Sequence, residues 1–70
     1  MPQHSRELVQ TMRAVLDELM TGIPAHQATS AVKAKVAEVI LKTAAEGRTS
    51  YEGLISVAAD QIPSIISELE

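Results

Sequence analysis

The chain has 70 residues, which allows one domain over 1–70, and a chain of this size buries only about 60% of the surface its unfolded form exposes. It has no cysteine, so neither a disulfide nor a thiolate metal site staples it, and its single Tyr, with no Phe or Trp, leaves the core to Leu, Ile, Val, Met and Ala. The formal net charge is −3 and no basic residue follows Arg48, which disfavours long-range attraction to nucleic acid.

Ser5 suits a helix N-cap, and after it Leu8, Met12, Val15 and Leu19, with Val9, Leu16 and Met20 beside them, recur at three- and four-residue steps. The spacing predicts an amphipathic helix ending near Thr21, with Glu7, Arg13, Asp17 and Glu18 wetted and Gly22 as the stop. Met12 and Met20 belong to its core face, although the flexible thioether also suits an adaptable binding surface. Gly22-Ile23-Pro24 reads as a tight corner, because Pro tolerates the first helical position. A second helix is expected from about Pro24 to Glu46, stopped by Gly47, with Ala25, Ala28, Val32, Val36, Val39 and Ile40 on its apolar side. Ala25, Ala28, Ala31, Ala34 and Ala37 form a ridge of small side chains that permits close approach of a neighbouring helix. On the outer side Glu38 and Lys42 stand in the favourable acid-first i, i+4 order.

Thr49-Ser50-Tyr51-Glu52 fits a capping box and predicts the start of a third helix. Leu54, Ile55, Val57, Ala58, Ile62, Ile65, Ile66 and Leu69 keep helical spacing, but Pro63 removes one backbone bond and crowds the preceding turn. The helix is therefore expected to kink at Pro63 or, as the favoured outcome, to stop near Asp60 and restart. Its tail is acidic and apolar, carrying Glu52, Asp60, Glu68 and Glu70.

No set of residues points to chemistry. His4 and His26 lack a second ligand at i+3 or i+4, so no metal is expected. The scattered Ser and Thr hydroxyls stand beside no base, adjacent Asp17 and Glu18 point in different directions, and Gly22, Gly47 and Gly53 make no phosphate loop. The chain is therefore expected not to be an enzyme and to need no cofactor. The path from the second helix through Gly47-Arg48-Thr49 has a helix-turn-helix outline, yet the first turn of its recognition helix presents Tyr51, Glu52 and Gly53, which read no base. Tyr51 is expected to cover the edge of the core rather than to serve as an exposed anchor. The first six residues lack the basic start of a signal peptide and no apolar run approaches the roughly 20 residues of a membrane span, so the expected location is cytoplasmic.

Leu19-Met20-Thr21-Gly22-Ile23-Pro24-Ala25-His26-Gln27-Ala28, followed by Val32, Ala37 and Val39-Ile40, resembles small helical-hairpin proteins encoded by phages and prophages. The resemblance spans residues 8 to 46. In that group an apolar helix ends in a Gly-containing turn, and an Ala-rich helix follows a loop that often holds Pro and a helix-starting acid, where this chain has Ala25-His26. The resemblance implies a phage or mobile-element accessory protein without known enzymatic activity, regulatory or directed at a host protein, and it transfers no functional residue.

The resulting expectation is an all-α chain, a helical hairpin plus a third helix, in which a core worth about 3–5 kcal/mol is completed by association into a homodimer or higher helical bundle. Leu8, Met12, Val15, Leu19, Val32, Val36, Val39 and Ile40 form its core and interface set. The corresponding function is a protein-binding module that inhibits or adapts another protein. The alternative is a nucleic-acid-linked or antitoxin-like regulator whose oligomer gathers Lys33, Lys35, Lys42 and Arg48 on one face.

Overall fold

The computed structural model describes residues 6–69, and the regular structure among them is three α-helices: α1 (Arg6–Gly22), α2 (Ser30–Ala45) and α3 (Tyr51–Leu69). The expected cap at Ser5 and the terminal His4 lie outside the described residues. Each helix packs against the other two, α3 most extensively on α2. Met12, Val15 and Leu19 of α1 meet Val32, Val36, Ile40 and Ala44 of α2 and Leu54, Ala58 and Ile65 of α3 in one core, with Ile23 added from the first connection. Val15, Val36, Ile40 and Leu54 are wholly enclosed, so its centre is aliphatic throughout. Tyr51, expected at the core edge, is instead 42% exposed, because it stands on the first turn of α3 before the helix reaches its neighbours.

The second helix begins later than the sequence suggests. Pro24 does open a helical turn, in which the Gln27 and Ala28 amides donate to the Pro24 carbonyl at 2.8 and 3.0 Å, but the turn goes no further. Thr29 is extended (φ −84°, ψ 167°) and its hydroxyl accepts from the Val32 amide at 3.2 Å, making it the N-cap of α2. A side-chain oxygen that satisfies a first-turn donor gives the backbone an alternative to continuing the earlier turn. Ala25 therefore lies outside α2 and exposed. The other end follows the sequence: Gly47 has φ +105°, its amide donates to Ala44 at 3.0 Å and the Arg48 amide donates to Thr43 at 3.2 Å. This crossed pair of bonds around a left-handed glycine is the Schellman arrangement.

The cap of α3 sits one residue beyond the expected Thr49. Ser50 accepts from the Gly53 amide at 3.1 Å through its hydroxyl and from the Leu54 amide at 2.9 Å through its carbonyl. The residue three along is then a glycine, so no side chain reaches back and the box is only half made. Beyond it the favoured break near Asp60 does not occur: α3 continues through Pro63 to Leu69. Pro63 is exposed while Ala58 before it and Ile65 after it are buried against the other helices. Packing on both sides of the proline holds one helix across it despite the missing Ala59-directed hydrogen bond.

Candidate interaction surface

The polar groups of the bundle serve its own backbone. Thr11, Thr21 and Thr43 donate to the carbonyls of Glu7, Asp17 and Val39 at 2.9, 2.8 and 2.7 Å, while Thr29 and Ser50 cap helices. Thr43 is the buried polar residue among those described, and no buried side-chain polar atom there lacks a partner. Among the described residues no three His, Asp or Glu side chains converge as a metal site would require, and no helix is long and apolar enough to cross a membrane.

What distinguishes the surface is apolar. A groove of about 180 Å³ runs between α1 and α2, lined by Val9, Met12, Leu16, Ala37, Ile40 and Leu41, with Arg13 its one charged lining residue. Met12 and Ile40 form its floor and belong to the core, whereas Val9 and Leu41 stand 37% and 49% exposed on either bank. Large apolar side chains left in water on two adjacent helices form a contiguous patch, the kind of surface that associates. A second groove, between α1 and α3, is lined by Leu19, Ile23, Ile55, Ala59, Ile62 and Pro63, and its one charged lining residue is Glu18. A third joins His26, Gln27 and Thr29 to Val32, Ile66 and Leu69, so His26 meets apolar and uncharged side chains there.

Of the eight residues expected at the core and interface, Met12, Val15, Leu19, Val32, Val36 and Ile40 are buried within the single chain, and Leu8 and Val39 are half-buried against them. Residues so enclosed leave an interface to their neighbours. The set missed Leu54, the most enclosed residue of α3, whose spacing with Ala58 and Ile65 was readable in the sequence. It also missed Leu41, which adjoins buried Ile40 and faces out instead. The alanine ridge divides: Ala37 lines the groove, while Ala31 and Ala34 are exposed and touch no helix of the same chain closely enough to be covered. Lys33, Lys35, Lys42 and Arg48 are all exposed, but Lys33 stands two residues from Lys35 and points to another side of α2.

Fold and surface together define a small three-helix protein with an uncovered apolar face. No protein-family model, curated protein or solved structure matches the chain.

Proposed function

We propose that the chain is a non-enzymatic helical binding module, an accessory protein of the phage or prophage kind it resembles, that associates through the apolar face between α1 and α2 with itself and with another protein. One observation carries the reading: Val9 and Leu41 flank an almost wholly apolar groove, although burying a side chain of this size is worth about 1.5–3 kcal/mol. A surface that forgoes that gain in the lone chain is suited to recover it against a second helix, whose apolar anchors would lie in the groove. The acids of α3, Glu52, Asp60 and Glu68, are exposed with no basic residue on that helix, and they remain free in such an assembly to meet a further protein.

Light scattering across a dilution series, on the natural chain and on Leu41→Asp, tests this. Leu41 is exposed, so the variant keeps its helical content by circular dichroism. The expected result is an assembly of the natural chain that dissociates at higher concentration in the variant. A monomer at every concentration, unchanged by the substitution, would remove self-association through this face from the reading.

A further inference from the structure

We infer that the groove between α1 and α3 takes a helix of another protein that carries a lysine or arginine among aliphatic side chains, the cation lying beside Glu18 at the C-terminal end of α1. This rests on the reading of the chain as a binding module, but it concerns a second face and names the chemistry of the partner that face fits. At about 420 Å³ the groove is larger than the one between α1 and α2. Its α3 wall runs from Ile55 to Pro63, eight residues and so about 12 Å of helix, which is long enough to receive apolar side chains from successive turns of a partner helix.

Three features of the lining give this groove an excess of hydrogen-bond acceptors and of negative charge. Glu18 is its one charged residue, and it is exposed. Leu19, Gly22 and Ile23 bring the C-terminal end of α1 into the lining, where the last carbonyls carry the negative end of the helix dipole and the last turn holds no basic residue to offset it. Pro63 has no amide hydrogen, so the carbonyl of Ala59, which lines the groove with it, loses its i+4 donor. Water serves these acceptors in the lone chain, and a helix laid over the groove displaces it. A wholly apolar helix would leave a carboxylate and carbonyls without donors, which is costly, and an acidic one would add repulsion. A lysine or arginine supplies several donors and the opposite charge while its carbon stem lies along Ile55 and Ile62. The chain does not supply that cation itself: α3 has no base, and Arg13 of α1 lines the other groove. A second copy docked here about a two-fold axis would bring the same acceptors to face their own kind.

The probes are three fluorescently labelled amphipathic peptides of about four helical turns, identical in their leucine anchors and glutamine outer face and differing at one position beside the anchors, which is lysine, glutamine or glutamate. Fluorescence anisotropy at low ionic strength measures their binding to the natural chain, to Leu41→Asp and to Glu18→Lys. The lysine peptide is expected to bind the natural chain with a dissociation constant about tenfold or more below that of the glutamate peptide, with the glutamine peptide between them. The same ranking in Leu41→Asp places the peptide away from the α1/α2 groove. Glu18 is exposed near the end of α1, where a base is favourable, so Glu18→Lys keeps its helical content by circular dichroism and erases the preference for lysine. Three peptides that bind equally or not at all, a preference that survives Glu18→Lys, or a preference lost in Leu41→Asp would each overturn the inference. A change in the chain's own mass on Glu18→Lys would also overturn it, by giving the groove to a second copy. Should Glu18→Lys fail to fold, the ranking on the natural chain and Leu41→Asp still decides. Association through the α1/α2 face is judged separately by the dilution series, so either reading can fail without the other.

Discussion

Replacing Leu54 with alanine tests whether α3 completes the core. Leu54 is fully enclosed at the second turn of α3, and the buried residue one turn on is Ala58, too small to swing into the vacated space. The lost side-chain carbons account for roughly 2.4 kcal/mol at about 0.8 kcal/mol each, and a cavity that cannot collapse brings the total to about 3–4 kcal/mol. A 70-residue protein is stable by about 3.5–10 kcal/mol, so the substitution removes a third or more of that. With a urea m-value of about 1 kcal/mol/M for a protein this small, the midpoint falls by about 3 M. The assay is urea unfolding followed by circular dichroism at 222 nm, repeated at two protein concentrations so that any contribution from association separates from that of the core. A loss below about 1 kcal/mol, with helical content retained, would contradict the placement of Leu54, because surface truncations rarely exceed ~0.5 kcal/mol.

Two further substitutions test the backbone. Gly47 holds φ +105° and a Cβ there would touch nothing within 4 Å, so Gly47→Ala isolates conformational strain from packing; thermal melts should show a loss of about 1–2 kcal/mol, and no loss would mean the Schellman turn is not formed. Pro63→Ala should stabilise the protein, because α3 already runs through this position and the Ala59 carbonyl regains its donor; a gain of about 1–3 kcal/mol is expected, against the ~3 kcal/mol that an interior proline costs, and a loss would show that the ring's place in the α1/α3 groove outweighs the missing bond.

The inward stripes were legible because a 3.6-residue period places Met12, Val15 and Leu19, or Val32, Val36 and Ile40, on one side of a helix whatever the neighbours do. Gly47 was legible for a similar reason, since a glycine after a periodic run is the residue best able to take positive φ. Local rules failed where two of them competed. Pro24 opens a helical turn as its geometry favours, yet the Thr29 hydroxyl caps a separate helix five residues later, and nothing in the order Pro24 to Thr29 ranks one signal above the other. At Pro63 a local penalty met tertiary packing, and the burial of Ala58 and Ile65 on either side prevailed. The interaction surface was harder still to read. Val9 adjoins half-buried Leu8, and Leu41 adjoins buried Ile40; the residues differ little in hydrophobicity, and the packing of three helices decides which of each pair is left outside.

That remainder also bears on the proposal that the chain associates through the first two helices rather than the third. A helix in a three-helix bundle has two neighbours, and an apolar arc broader than those contacts must meet water or another molecule. On α1 the surplus arc holds Val9 and Leu16 beside Arg13, and on α2 it holds Ala37 and Leu41. The surplus on α3, around Ile55, Ile62 and Ile66, is comparably apolar, but Glu52, Asp60 and Glu68 are the helix's charges and no base accompanies them. Two α3 helices brought together would set acid against acid, whereas the groove between α1 and α2 has Arg13 as its one charged lining residue. Charge thus distinguishes surfaces that apolar area alone would leave equivalent: a partner that brings an acid would suit the groove beside Arg13, and one that brings a base would suit the acids of α3.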